Sequence, residues 1–525
     1  MTEPRITLIV PQVHVKKVKT TLESHNLFDR TKGITPENIG EKNRPTGEIW
    51  MVIATTISSK DPHLNIQRGQ DKVQTSQQKE MLLEDLGLAA LSAEIDISTP
   101  VNLLKSIRSL STLRNPVIKA VHLAFDALPP SFLATLELTS MVLASTFPES
   151  YSVYKPLLLL SSHALSAAPW IKLLSAHAID SPTLCIIWKK ASESVGATHV
   201  AINAGIPLQV SPTGIIAAHG CPPTPKISSN PQTNGTENIL RSPSNLTPIY
   251  GDFGPLPSRL TLSMPTAHDF EQALWVSTTQ NRIHQVWAPL YTMFSRGNIR
   301  EKTRLLHHPF ILSSATGGCT AVDLYAGIGY FAFSYARAGV SKVLCWELNP
   351  WSVEGLSRGV ERNNWTSTVF TTDNLPKYGR EWAAIPRTDF LIFQQSNEEA
   401  GYAIKQLEGL IPPVRHVNCG FLPSSKLSWP IAMRIIDAKK GGWIHAHENV
   451  GVNDIEQRRG EIVEELQSIL DGRLRNEKDK HEYRGTRKII CEHVERVKTY
   501  APGVAHVVFD LWVDGEENAK MIQDK

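Results

Sequence analysis

A glycine-rich turn followed by well-spaced acids is the part of this chain best suited to binding a nucleoside. In the run DLYAGIGYF, Gly327 and Gly329 lack a Cβ, which permits tight backbone geometry and close approach of a ligand. Glu347 lies 347 minus 327, or 20, residues beyond Gly327, the distance at which an acid meets ribose hydroxyls. Asp323 precedes the turn, and Asp373 with Asn374 closes the run TTDN. Successive strand ends of an open α/β sheet share one crevice, so Asp323, Glu347 and Asp373 are expected to face a common pocket. Three acids would repel a pyrophosphate but suit a ligand carrying hydroxyls, an amino group and a positive charge. S-adenosylmethionine has that character and NAD does not. Gly327, Gly329 and Ala332 also satisfy the loose GxGxxA dinucleotide pattern, which leaves a dehydrogenase as the rival, and a glycine turn alone also reads as a plain strand-to-helix connection.

These residues need a parallel sheet to hold them. The apolar runs CTAVDLY, SKVLCWE, STVFTTD, HVNCGFL and GGWIHAH alternate with helical segments, which predicts a doubly wound α/β domain over residues 319–525, with AHVVFDLWV as a late closing strand. Asn349 can cap the helix after Glu347 and Pro350 suits its first turn, so the chain turns sharply there. Residues 1–218 mix strand-like runs (Ile6 to Val10, Trp50 to Ala54) with helical stretches and read as an α+β region. Residues 219–258, rich in Pro, Ser and Asn, read as a loop or linker, and residues 259–318 as a connecting segment. The stretch Leu157 to Leu174 contains His163, Pro169 and Lys172 and reads as one buried helix rather than a membrane span.

At 525 residues the chain exceeds one ordinary domain, and its 41% hydrophobic content is sufficient for packed cores. Lys and Arg number 54 against 51 Asp and Glu, a balance too even to imply a nucleic-acid partner, so any basic site must be local. The candidates are Arg296, Arg300, Lys302 and Arg304, and a second run of Arg473, Arg475, Lys478, Lys480, Arg484, Arg487 and Lys488 diluted by Asp479 and Glu482. Cys185, Cys221, Cys319, Cys345, Cys419 and Cys491 form no CxxC pair, so neither a metal framework nor a secreted disulfide scaffold is expected. The apolar run near the amino terminus is too short for a signal segment, and a cytoplasmic protein without a membrane partner is expected.

The motifs WAPLYTMFSRGNIREKTRLL, DLYAGIGYF, CWELNP, TTDN, FLPSSKLSWPIA and GGWIHAHENV run in order over residues 275 to 515 and closely resemble the tRNA wybutosine-synthesising protein 2 family, which is class I methyltransferase-like. THVAINAGIP and PIYGDFGP resemble its eukaryotic members. The resemblance implies an enzyme that moves the 3-amino-3-carboxypropyl group of S-adenosylmethionine to carbon 7 of 4-demethylwyosine, beside the anticodon of tRNA(Phe) at position 37. It further implies that Ser295 and Lys302 contact the cofactor, Glu347 binds its ribose, and Asp373 with Asn374 lies at the adenine.

A proton must leave carbon 7, and His445, His447 and Glu448 at the end of the fifth expected strand are the candidate bases, against a purely structural role for each. Pro423, Ser424 and Ser425 stand where related methyltransferases carry a loop that meets the target base. Trp287 and Trp429 are candidate stacking platforms for a splayed base, or core residues. Asn374 and Arg415 are 41 positions apart, and the intervening YGREWAAIPRTDFLIFQQSNEEAG reads as a surface insertion. The rival functions are a tRNA (guanine-37) N1-methyltransferase and a non-catalytic tRNA-binding scaffold of the same fold.

Overall fold

The computed structural model describes residues 5–29, 34–36, 49–58, 76–98, 115–203, 246–377, 379–385, 387–476 and 487–517. The chain divides into two compact units, Met1–Arg114 and Asn115–Lys525. In the first, β1 (Arg5–Pro11), β2 (Ile34–Pro36), β3 (Trp50–Ser58) and β4 (Asp96–Ser98) form an antiparallel sheet in the order β2-β3-β1-β4. Its period-two pattern buries Ile6, Leu8 and Val10 against Val18 and Leu22 of the helix Val15–Ser24.

The second unit begins well before the expected boundary at residue 218. It contains a small sheet of β5 (Tyr151–Tyr154), β6 (Leu157–Leu160), β7 (His199–Asn203) and β8 (Leu246–Tyr250), in that order. Antiparallel pairing of Asn203 with Leu246 means that residues 204–245 leave and rejoin one sheet at a single point, so the Pro/Ser/Asn-rich segment does not separate two domains. The expected helix from Leu157 to Leu174 is also corrected. Leu157–Leu160 pairs in parallel with β7, and only Ala168–Ala176 is helical, with Pro169 in its first turn. A short apolar run has no periodicity that distinguishes strand from helix. Next in sequence, β9 (Val276–Gln280) and β10 (Ile283–Trp287) form a hairpin whose two turn residues, Asn281 and Arg282, have φ of 55° and 60°, as a two-residue type I′ turn requires.

The main sheet contains β11 (Thr320–Asp323), β12 (Lys342–Trp346), β13 (Ser367–Phe370), β14 (Phe390–Phe393), β15 (Val414–Cys419), β16 (Gly442–Gly451), β17 (Ile489–Ala501) and β18 (Val504–Val513). Their order is β13-β14-β12-β11-β15-β16-β18-β17. The pairings from β13 to β16 are parallel, and β18 is antiparallel to both β16 and β17. This is the doubly wound, Rossmann-like sheet anticipated from the alternation of strands and helices, and its chain order reverses at β11, where ligands of such sheets bind. β11 and β14 are buried at every position, as strands covered on both faces must be.

The expected surface insertion is instead part of this core. Its FLIF run is β14, placed between β12 and β13, and Trp382 from the same segment is fully buried. Phe393 stacks on Trp346 and Phe370 with ring centroids 4.5 and 5.0 Å apart. Truncating such a ring to alanine costs about 3–5 kcal/mol. Among the described residues no helix is long and apolar enough to cross a membrane, and no group of His, Cys, Asp or Glu has the arrangement of a metal site.

Because β7 and β8 are already paired, replacing residues 204–245 by an Asn-Gly turn should leave the thermal unfolding midpoint within about 2–4 °C of the native value. A larger fall in a melting experiment would mean that those residues contribute packing the sheet lacks.

Candidate functional site

The turn after β11 is shaped by its two glycines and fastened by a carboxylate. Gly327 and Gly329 have φ of +54° and +87°, the left-handed region that disfavours side chains. A Cβ on Gly329 would meet the Phe333 ring at 2.6 Å and Leu356 at 2.8 Å. Glu347, half-buried at the end of β12, accepts hydrogen bonds from the N–H groups of Gly327 and Asn349, each at 2.8 Å. The Asn349 side chain caps the following helix by accepting from Trp351 N–H at 3.0 Å, with Pro350 in the first turn, as the sequence predicts. The helix therefore begins directly after Glu347 and leaves its carboxylate at the sheet's carboxyl rim.

Asp323 is fully buried one strand away. Its Oδ1 accepts from the Asn418 side chain at 3.0 Å and from Tyr325 N–H at 3.3 Å, while Oδ2 is buried without a hydrogen-bond partner. Burial is the main reason its pKa is pushed up to about 6, outweighing the Asn418 and Tyr325 hydrogen bonds.

Lys302 projects from the helix Ile299–His307 and is 3% exposed. Its Nζ donates to Gln280 Oε1 at 3.0 Å and Gln285 Oε1 at 2.6 Å, and lies 4.9 Å from the Phe294 ring centroid and 5.1 Å from that of Tyr330. The β9–β10 hairpin supplies both glutamines, and Gln285 also donates to the Gly329 carbonyl at 3.5 Å, which couples Lys302 to the glycine turn. No acidic side chain pairs with Lys302 among the described residues. Burial, with a smaller contribution from Lys498, lowers its pKa to about 7. Nearby, Lys498 donates to Ser295 Oγ at 3.3 Å. Residue types did not single out Gln280 and Gln285; the one sequence clue is their placement on either side of the Asn281-Arg282 turn.

The other candidates separate. Asp373 and Asn374 are exposed at the end of β13, and β14 stands between that strand and Glu347's own. The Asn374 amide is used within its own turn, accepting from Thr371 N–H at 2.7 Å and donating to the Val369 carbonyl at 3.1 Å. The expected convergence of three acids is thus a convergence of two, because the third-strand position belongs to β14. β16, which carries His445, His447 and Glu448, is correspondingly the sixth strand of its sheet in sequence rather than the fifth.

His445 is buried between His416 (3.2 Å) and Asp510 (2.6 Å). His447 bonds Asn418 at 3.1 Å and His506 at 2.9 Å. Burial, then the neighbouring His506, holds His447 well below the usual histidine range, so it is neutral. Glu448 is 3% exposed and accepts from Ser424 Oγ (2.9 Å), Ser425 N–H (2.8 Å) and Ser425 Oγ (3.2 Å), while pairing with Arg458 at 3.1 Å. It is the clasp of the Pro423–Ser425 loop. Trp429, fully buried, donates to Ser425 Oγ at 3.0 Å, and Trp287 stacks on Phe294 within the core, so neither ring is open to a base. The rim aromatics are Tyr325 and Phe421, half-buried with centroids 5.0 Å apart.

The first basic run also divides. Lys302 and Arg304 point inward, Arg304 bonding Glu301 and Asp510, whereas Arg300 pairs with Glu495 at 2.7 Å and Arg296 reaches Ser152. In the second run, Arg487 is buried and donates to the Asp514 carbonyl at 2.6 Å; Lys478, Lys480 and Arg484 lie outside the described residues.

Comparison with known proteins finds both curated relatives and solved structures similar to this chain. The tRNA wybutosine-synthesizing protein 2 of Schizosaccharomyces pombe is 33% identical over 364 residues, covering 69% of this chain and 72% of that protein. The Saccharomyces cerevisiae protein of that name is 35% identical over 301 residues, 54% of this chain and 58% of the relative. Among solved structures, Pyrococcus horikoshii TYW2 in complex with MeSAdo has a TM-score of 0.41 and 16% identity, covering 73% of this chain and 98% of that one. No family model matches the chain.

The depressed Lys302 pKa fixes the sign of a stability test. Between about 7 and the ordinary value of 10.5 the unfolded chain binds a proton that the folded chain does not, so the native protein gains stability as pH rises through that window. The stability difference between Lys302→Met and the native chain should therefore favour the variant most below about pH 7 and shift towards the native chain above it. Denaturant titrations at several pH values read this directly, and a pH-independent difference would contradict a buried, desolvated ammonium.

Proposed function

The chain belongs to the tRNA wybutosine-synthesizing protein 2 family, and from that premise we propose that it transfers the 3-amino-3-carboxypropyl group of S-adenosylmethionine to carbon 7 of 4-demethylwyosine at position 37 of tRNA(Phe), in the cytoplasm. The observation that carries this reading is the pairing of a buried ammonium lacking an acidic partner, Lys302, with a rim carboxylate, Glu347, on either side of the glycine turn. A carboxylate at one end of the ligand and a ribose diol at the other match that pair. Asp323 Oδ2, buried without a partner, adds an acceptor beside the same turn. The space left beside Lys302 is about 10 Å³, less than one water occupies, so an incoming carboxylate would replace a glutamine amide rather than fill a void.

When bound, the sulfonium makes its γ-carbon electrophilic, so that carbon 7 forms the new bond as the carbon–sulfur bond breaks, methylthioadenosine leaves with the electron pair, and carbon 7 gives up its proton. The chain's part is orientation. Lys302, with Ser295 nearby, would hold the amino-acid arm, Gly327 and Gly329 would admit the ligand against the backbone, and Glu347 would hold the ribose. The Pro423–Ser425 loop, fixed by Glu448, would face the acceptor with Tyr325 and Phe421 at the rim.

Incubation with labelled S-adenosylmethionine and tRNA bearing 4-demethylwyosine should release methylthioadenosine. Release of S-adenosylhomocysteine would instead identify a methyltransferase, and tRNA binding without uptake of S-adenosylmethionine would identify a scaffold. Glu347→Ala should weaken S-adenosylmethionine binding by about tenfold or more in calorimetry, given the strength of hydrogen bonds to a charged group.

A further inference from the structure

The loop that follows β15 carries a side chain whose exposure the fold does not explain. β15 is the direct neighbour of β11 in the sheet, and the chain leaving its end at Cys419 runs along the same carboxyl rim as the glycine turn that leaves β11. Phe421 of this loop meets the Tyr325 ring, and the Tyr325 hydroxyl lies beside the Ser428 side chain. The segment from Phe421 to Ser428 therefore forms one lip of the crevice. Near its end Leu427 is 86% exposed, the most exposed of the large apolar side chains among the described residues.

Singly exposed apolar side chains are common on protein surfaces, but this one has a fixed support. Ser425 and Ser428, on either side of it, are buried. Ser425 N–H donates to Glu448 at 2.8 Å, Ser428 Oγ donates to the Ser425 carbonyl at 2.7 Å, and Lys426 N–H donates to Ser424 Oγ at 3.3 Å. Asn449 N–H donates to the Pro423 carbonyl at 2.8 Å, and Lys426 Nζ pairs with Glu465 of the helix Ile455–Asn476 at 2.6 Å. These contacts fasten the backbone around Leu427 and leave its side chain in solvent.

The proposed reaction supplies an occupant for that position. Carbon 7 has to meet the γ-carbon in line within the crevice, which a base still stacked between its neighbours in the anticodon loop cannot do. Drawing the base out uncovers the face of the adjacent base, and an apolar side chain inserted there takes the place of the lost stacking. Leucine suits this task because it has no polar atom to desolvate against the ring.

We propose that Leu427 enters the anticodon loop where the acceptor base leaves it, packing against the adjacent base and keeping the acceptor unstacked. The inference rests on the function proposed above and adds to it a residue that acts on the RNA rather than on S-adenosylmethionine. Leu427 is thus a positioning residue, in contact with neither carbon 7 nor the sulfonium.

Leu427→Ala should lower kcat/KM for tRNA bearing 4-demethylwyosine by about tenfold or more, and Leu427→Met should restore it to within about threefold. Both variants should bind S-adenosylmethionine as the native chain does in calorimetry and keep the native unfolding midpoint, because so exposed a side chain supports no packing. With 2-aminopurine beside the acceptor, binding to the native chain should raise its fluorescence as stacking is lost, and binding to Leu427→Ala should raise it much less. On a substrate whose nucleotides flanking the acceptor are abasic, the native chain and Leu427→Ala should turn over at the same rate, since there is no stack to open. Equal kcat/KM on the intact tRNA, or a loss that persists on the abasic substrate, overturns this role for Leu427 and leaves the proposed function standing. A native chain that releases no methylthioadenosine from the intact tRNA overturns both.

Discussion

The carboxylate of Glu347 accepts hydrogen bonds from the N–H of Gly327 and the N–H of Asn349, and in doing so ties the end of one strand to the turn leaving its neighbour. Hydrogen bonds to an ionised acceptor contribute about 1.5–3 kcal/mol each, enough to hold a turn that glycine's freedom would otherwise leave loose. The rim is therefore organised before any ligand arrives. The same two contacts join the glycine turn to the start of the helix after Glu347.

Behind the rim, polar side chains form two buried chains across the sheet. Asp323, Asn418, His447 and His506 connect β11, β15, β16 and β18; Ser314, His416, His445 and Asp510 run through β15, β16 and β18 to Arg304 on the helix of Lys302. Polar groups so deeply buried must be paired, which explains why histidines here serve as framework. His506 illustrates the electrostatics: burial, reinforced by Lys498, lowers its pKa to about 4 and keeps it neutral.

The parts of the site evident from sequence were those encoded locally. Gly327, Gly329, Glu347, Asn349 and Pro350 act within a strand-turn-helix unit, and their spacing carried over into the fold directly. What depended on distant packing was hidden. The run FLIF lay inside a segment resembling a loop, and nothing within four residues indicates that it inserts between two strands predicted to be neighbours. Likewise His445, His447 and Glu448 look available at a strand end until β18 and the helix Ile455–Asn476 cover them, and Gln280 and Gln285 acquire meaning only when Lys302, 17 or more positions on, folds against them.

Asp510 is the point at which His445, His308 and Arg304 meet, and although burial alone would raise its pKa, these cations and donors hold it well below the ordinary carboxylate range. Its contribution to folding is complete above that ordinary range and disappears as acidity reaches its depressed value. Arg304 and Lys302 share one short helix, so neutralising Asp510 would loosen that helix from the sheet at the same moment that it weakens the core. Acid loosening of this protein would then reach the helix of Lys302 and the strand of Asp510 together.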